Sequence, residues 1–233
     1  MNFTRRQTLA GFALASGLLL THGSAGAQPA ASRLAGLLRD RSHGGTTRQA
    51  AEGPFYIEET LERSDISDGQ PGIPLELGLE VVEARNRSAL SGARIDIWHA
   101  DAAGCYSGFQ GQGDERAIST VDQRFLRGTQ FADAAGKVRF VTIYPGWYAG
   151  RTAHIHFKVF VDDKTVSVGQ IYFPDDLNRF VFTTVPPYST RKRRRDTLNR
   201  KDQVLASTGG RDAFATVDVA PDRLIASLTI AVG

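Results

Sequence analysis

The sequence predicts a mainly β protein, a sandwich of antiparallel or mixed strands carrying extended loops. Two observations predict it. Short runs rich in Val, Ile, Phe and Tyr are separated by Gly, Pro, Asp and Asn, and glycine is plentiful, with 24 of 233 residues, so turns joining short strands are favoured over long helices. Within the runs apolar and polar residues alternate, the two-residue period of a strand with one face buried. A hydrophobic fraction of 41% with 23% charged residues is enough for one sizeable core.

The first residues stand apart from that fold. Arg5 and Arg6 precede an apolar stretch, Leu9 to Leu20, followed by Ala25-Gly26-Ala27, the small-x-small form cleaved by signal peptidase. Residues 1–27 are therefore expected to be a signal peptide. Thr4-Arg5-Arg6-Gln7-Thr8-Leu9 resembles a twin-arginine signal, with Thr8 where that motif usually has a bulky apolar residue. The stretch is shorter than the roughly 20 apolar residues of a spanning helix. The predicted location is exported, periplasmic or secreted, with no membrane contact after cleavage. Residues 28–50, with Leu34, Leu37 and Leu38 as their one apolar group, are expected to form a flexible arm, and 51–233 the folded domain.

Strands are predicted at Leu75 to Glu83, Ala93 to His99, Lys137 to Ile143, Ala153 to Val161, Thr165 to Tyr172 and Leu224 to Ala231. In the second of these, Ala93, Ile95 and Ile97 alternate with Arg94 and Asp96, which suits a half-buried strand. Asp162-Asp163 between two apolar runs marks a tight hairpin.

Charge excludes some functions. The whole chain carries +3, and loss of Arg5 and Arg6 with the signal leaves +1, so nothing electrostatic points to nucleic acid or an anionic membrane. The run Arg191-Lys192-Arg193-Arg194-Arg195 has Asp196 and Asp202 close behind it and is expected to be a solvated or ion-paired segment. The single Cys105 supports neither an intramolecular disulfide nor a multi-thiolate site, so any metal here uses N and O ligands.

His154-Ile155-His156 is the most informative short segment, because alternate strand residues point to one face and both imidazoles can reach one ion. By itself such a pair is often an exposed strand feature. The chain without residues 1–27 keeps only His43, His99, His154 and His156, so oxygen ligands would have to complete a shell. Tyr106 and Tyr148 lie in the Gly-containing turns Asp101-Ala102-Ala103-Gly104-Cys105-Tyr106 and Tyr144-Pro145-Gly146-Trp147-Tyr148, where loops present reactive groups at the ends of a sheet. A phenolate suits a hard ferric ion; taken singly, either tyrosine could equally be a core aromatic. Arg151 could stabilise negative charge beside such a site or be a surface charge.

These residues sit in an ordered series: Glu52-Gly53-Pro54-Phe55-Tyr56, then Gly92-Ala93 through Ile95, Ile97-Trp98, Ala100-Asp101, Gly104 and Tyr106, then Leu126-Arg127-Gly128, Thr142 to Tyr148, and Arg151-Thr152-Ala153-His154-Ile155-His156. Over roughly residues 51–200 the series resembles the intradiol ring-cleavage dioxygenases, which include protocatechuate 3,4-dioxygenase and catechol 1,2-dioxygenase. The resemblance implies a mixed β-sandwich and a non-haem Fe(III) held by Tyr106 (equatorial), Tyr148 (axial), His154 and His156, with hydroxide as fifth ligand. It implies a catechol and O2 as substrates, Arg151 beside the substrate, Gln170 nearby, and Tyr148 as a ligand that leaves and accepts a proton. A homo-oligomer is compatible with it. Trp147 stands where the family often has proline, and only five residues separate Tyr148 from His154, a shorter segment than in the familiar enzymes, which puts the substrate in doubt. Two other classes remain open at this level: a non-catalytic transthyretin-like or carbohydrate-binding β-sandwich module, and a His-x-His zinc or copper enzyme that gives the tyrosines no role.

Overall fold

The computed structural model describes residues 49–208 and 210–233; the signal sequence and all but the last two residues of the predicted arm lie outside them. Two four-stranded sheets pack face to face. One has the order β4-β1-β8-β7 and the other β3-β2-β5-β6, where β1 is Pro74–Glu83, β2 Arg94–His99, β3 Arg127–Phe131, β4 Lys137–Ile143, β5 His154–Val161, β6 Lys164–Tyr172, β7 Thr216–Val219 and β8 Leu224–Val232. All pairings are antiparallel except β1 with β8, so the sandwich is mixed.

Alternation builds the core. Leu75, Leu77, Leu79 and Val81 of β1 face inward with Phe140 and Ile230, opposite Ile95, Ile97, Ile155, Phe157, Val159 and Ile171 from the other sheet. Each such side chain, fully buried, contributes about 1.5–3 kcal/mol. Gly169 faces Phe157 across β5 and β6, and a Cβ there would lie 2.2 Å from the Phe157 ring. Asp162 and Asp163 form the predicted hairpin, both with positive φ (49° and 59°), the twist that two-residue loops need.

The six predicted strands appear within about a residue of their expected ends. Two more, β3 and β7, and the helices α1 (Asp175–Thr184) and α2 (Gln203–Thr208) were not predicted. Helix α1 adds Leu177 and Val181 to the core.

The half-buried reading of β2 is corrected: Asp96 and Trp98 on its outer side are buried as well. The segment before β1 covers that side. Thr129 of β3 exchanges backbone bonds with Leu61 and Arg63, and the Tyr56 hydroxyl donates to Asp96 (2.8 Å). Ala50 N donates to Val168 O at the β6 edge. The basic run is ion-paired as expected: Arg191 with Asp114, Arg193 with Asp196, Arg195 with Asp175.

Candidate active site

Strand register assembles the site. Trp98 of β2 lies opposite Arg127 on one side and His156 on the other, and His156 lies opposite Gln170. Because directly opposed residues share a face, Arg127, Trp98, His156 and Gln170 form one row across the outer side of the sheet. His154 and Tyr172, also a cross-strand pair, start the next row. The inner neighbours Ile97, Ile155, Phe157 and Ile171 are core. The predicted sharing of a face by His154 and His156 is what β5 delivers.

The two tyrosines come from loops that interlock over this row. In the first loop Asp101 Oδ1 accepts from Ala103 N (2.9 Å) and Cys105 N (2.8 Å), and Gly104 has φ +84°. A Cβ on Gly104 would meet Trp147 O at 2.3 Å, and one on Gly146 would meet Asp101 O at 2.0 Å. Each loop thus presses its backbone into the other's glycine, which sets the Tyr106 and Tyr148 rings 5.7 Å apart at 74°. Arg191 clamps the second loop, donating to Trp147 O (2.6 Å) while its guanidinium lies 4.0 Å from the Trp147 ring centre.

The predicted donors converge. Tyr106 Oη lies 3.1 Å from His156 Nε2 and 3.3 Å from His154 Nε2, and the two Nε2 atoms are 3.1 Å apart. Tyr148 packs edge-on against both Tyr106 and His154. Tyr106, His154 and His156 are essentially inaccessible, whereas Tyr148 is partly exposed. His154 Nδ1 lies 2.7 Å from Thr152 O, so this nitrogen carries the proton and Nε2 points a lone pair at the cluster. No such bond orients His156; the Trp98 indole stacks on its ring instead, 4.8 Å away and 11° from parallel.

Burial is the dominant electrostatic fact. It drives His154 down to about 3, helped by the charge of Arg151, and His156 well below the usual imidazole range. Burial also raises Tyr106 far above the usual phenol range, with the adjacent Tyr148 adding to the effect, and raises Tyr148, which Arg151 partly offsets. The imidazoles are therefore neutral, with nitrogen lone pairs available. Phenols so placed ionise only if a cation strongly favours their anions.

That donor set fits a ferric ion: two neutral imidazole nitrogens and two phenolic oxygens, hard or borderline ligands around one point. Among the described residues no group of three His, Cys, Asp or Glu side chains is placed to hold a metal, so a metal in this cluster draws on the tyrosines.

Arg151 lies beside the donors. Its Nη1 donates to Tyr148 Oη (3.2 Å), its Nη2 to Tyr172 Oη (3.2 Å) and to Gln170 Oε1, and its Nε to Asp202 (2.9 Å). Tyr172 donates to the same Gln170 oxygen at 2.6 Å. Gln170 thus reaches the site through Arg151. His99 lies outside the cluster on the other side of β2, between Thr142 Oγ1 (2.7 Å) and Ala100 O (2.9 Å). Cys105 is buried, its thiol pushed up to about 12 by desolvation. A cavity of about 370 Å3 lies on the opposite sheet, lined by Gly78, Glu80, Lys137 and Thr229 among others, away from the tyrosines.

Sequence reasoning missed Tyr172, Asp202 and the parts played by Phe55 and Arg127. Phe55 stacks on Tyr106 (4.3 Å), and Arg127 holds the Phe55 carbonyl (2.7 Å) and Ser107. Both residues lie in matched motifs, and Tyr172 two residues after Gln170 is a face-sharing signal. Asp202, 51 residues from Arg151, gave none.

A β-sandwich with two histidines on the outer face of one sheet and two loop tyrosines closing over them defines a protein with an N2O2 donor cluster, buried except at Tyr148. Comparison with known proteins places it further. A family profile described as "Dioxygenase" matches residues 51–206, and the chain belongs to the intradiol ring-cleavage dioxygenase family. It is similar to an intradiol ring-cleavage dioxygenase from Tetranychus urticae, with a TM-score of 0.74 and 31% identity over 81% of this chain and 94% of that one. It is 32% identical over 130 residues to the protocatechuate 3,4-dioxygenase beta chain of Burkholderia cepacia (52% of this chain, 53% of that protein). It is 27% identical over 152 residues to a chlorocatechol 1,2-dioxygenase of Pseudomonas putida (55% and 54%). The chain thus spans about half the length of these two sequence relatives.

Proposed function

We propose that the chain is an exported, Fe(III)-dependent intradiol dioxygenase that opens a catechol-type ring between its two hydroxylated carbons with O2, giving a muconate-type dicarboxylate. The observation that carries this reading is the triangle of Tyr106 Oη and the two histidine Nε2 atoms, 3.1–3.3 Å on a side, with Tyr148 against it. Tyr106, Tyr148, His154 and His156 would hold the ion, and a ferric ion there would supply Lewis acidity and an electron acceptor for the bound catecholate.

The remaining chemistry belongs to the chain. Tyr148, the most exposed of the four donors, is the one that can swing away and take a catechol proton, a general-base contribution of about 10²–10⁴-fold. Arg151 faces the Tyr148 oxygen and would stabilise negative charge that develops on the ring and on its two catechol oxygens, which stay in the product. Gln170 accepts from Arg151 and steadies that edge of the guanidinium. Phe55, Tyr106 and Trp98 pack around the imidazoles and exclude water.

The test is oxygen uptake by iron-loaded protein on catechol, protocatechuate, hydroxyquinol and lignin-derived catechols, with iron measured per chain and the product identified. A red-brown protein consuming one O2 per catechol is expected. Inactivity on every catechol with iron bound refutes the activity; a colourless protein that takes up no iron favours a binding module. Export through the twin-arginine-like segment is part of the proposal and predicts that the exported protein begins at residue 28, which N-terminal sequencing checks.

A further inference from the structure

One buried carboxylate ties three elements of the site together, and neither the donor set nor the proton transfer uses it. Asp202 is fully buried and accepts four hydrogen bonds. Its Oδ1 takes Val204 N and Leu205 N (both 3.0 Å), capping α2. Its Oδ2 takes Arg151 Nε and Thr152 N (both 2.9 Å), two residues before His154. A buried carboxylate is costly unless its oxygens are satisfied; here each oxygen has two donors, and one donor is a guanidinium.

Nε is the only guanidinium nitrogen that Asp202 engages. The Nη pair is thereby left for Tyr148, Gln170 and Tyr172. The Tyr148 contact at Nη1 is given up when that partly exposed ring swings away, so the Nη contacts change as substrate enters while the Nε contact does not. A free arginine side chain has much rotamer freedom to lose, and an anchor at Nε removes most of it before substrate arrives.

We infer that Asp202 is a positioning residue that holds the Arg151 guanidinium with its Nη edge toward Tyr148 and the bound substrate. The inference rests on the dioxygenase reading above. Asp202 touches neither substrate nor the four donors and acts through Arg151.

Asp202→Ser separates this role from helix capping. Serine caps helices as well as aspartate does, but its hydroxyl ends one bond short of the reach to Arg151 Nε. Iron content is expected to stay near wild type and KM for catechol to change by less than about twofold, while the thermal midpoint falls by a few degrees because Arg151 Nε and Thr152 N lose their acceptor. kcat is expected to fall on the order of 10²-fold, the scale for a misplaced catalytic group. In an Arg151→Ala background the same substitution should change kcat by less than about twofold, since there is nothing left to position. The tyrosinate-to-iron absorption band gives a reading independent of turnover: Arg151→Ala shifts it through Tyr148, Asp202→Ser shifts it the same way, and the double variant shows no further shift. Equal fold losses in both backgrounds, additive band shifts, or an unchanged kcat in Asp202→Ser would overturn the inference. Failure of the dioxygenase reading looks different, as wild-type protein without colour or oxygen uptake.

Discussion

Gly146→Ala is the sharpest test of how the site is built, since it alters no donor and no charge. The added methyl would lie 2.0 Å from Asp101 O and 3.1 Å from the Ala102 carbonyl. Both obstacles are backbone and cannot rotate aside. Restoring an ordinary 3.4 Å contact from 2.0 Å requires the two tyrosine loops to part by about 1.4 Å. Overpacking of this kind costs about 1–3 kcal/mol, and a rigid obstacle puts it at the upper end. For a domain of this size 1 kcal/mol moves the midpoint by about 2–4 °C, so a fall of roughly 6–12 °C is expected. Parting the loops also separates Tyr148 from Tyr106, and a misplacement of about 1 Å costs on the order of 10²-fold in rate. Thermal unfolding, iron per chain and oxygen uptake are measured beside Gly78→Ala, whose methyl would find only Ala226 O, 3.9 Å away, and should be neutral or mildly stabilising. A Gly146→Ala protein with wild-type midpoint, iron and turnover would refute the interlocked-loop account.

Two further outcomes follow from the site's burial. His99 is held down to about 4 and His154 to about 3, in both cases chiefly by desolvation. The unfolded chain binds protons at these groups from about pH 6.5 downward while the folded chain does not, so stability present above pH 6.5 is lost as pH falls toward about 4. Each such imidazole contributes about 1.4 kcal/mol per pH unit in that window, and a flat urea-midpoint profile of metal-free protein would contradict it. Tyr148→Phe removes the Arg151 Nη1 partner and the proposed proton acceptor while leaving Tyr106 and both histidines. Iron should be largely retained, the charge-transfer band should move, and kcat should drop about 10²–10⁴-fold; unchanged single-turnover kinetics would exclude Tyr148 from the proton transfer.

What the sequence disclosed depended on the range over which each feature is encoded. Strands such as β1 and β4 carry their own alternation, and the His154-Ile155-His156 geometry follows from a two-residue period, so both were legible locally. Strand β3, Arg127–Phe131, has the sequence RGTQF, and it pairs because β2 and the segment at Leu61 to Arg63 flank it. Strand β7 is four residues long. Helix α1 has only Leu177 and Val181 as its buried apolar residues and follows Pro174 directly after the β6 run, so no long helical period announces it. The tyrosines were legible through the resemblance and not through physics, because their convergence depends on Gly104 and Gly146 each accepting the other loop's backbone. Asp202 depends on the approach of a segment from far along the chain.

The same cover that hid β2 from the alternation argument gives the site its character. The outer face of a sandwich sheet ordinarily meets water, and imidazoles and phenols there keep ordinary acidities. Here the residues before β1 and the two tyrosine loops seal that face. Their cover forces neutral histidines against undissociated tyrosines with few partners but one another, a local cost that a folding sequence ordinarily avoids. A cation held as proposed would turn the cost into a gain, because it would draw on all four donors at once and favour the phenolate that burial opposes. Metal loading should therefore stabilise the fold by mass action. Arg151, braced by Asp202 at Nε, lies where the partly exposed Tyr148 opens the seal, so a substrate admitted there would meet a fixed positive charge.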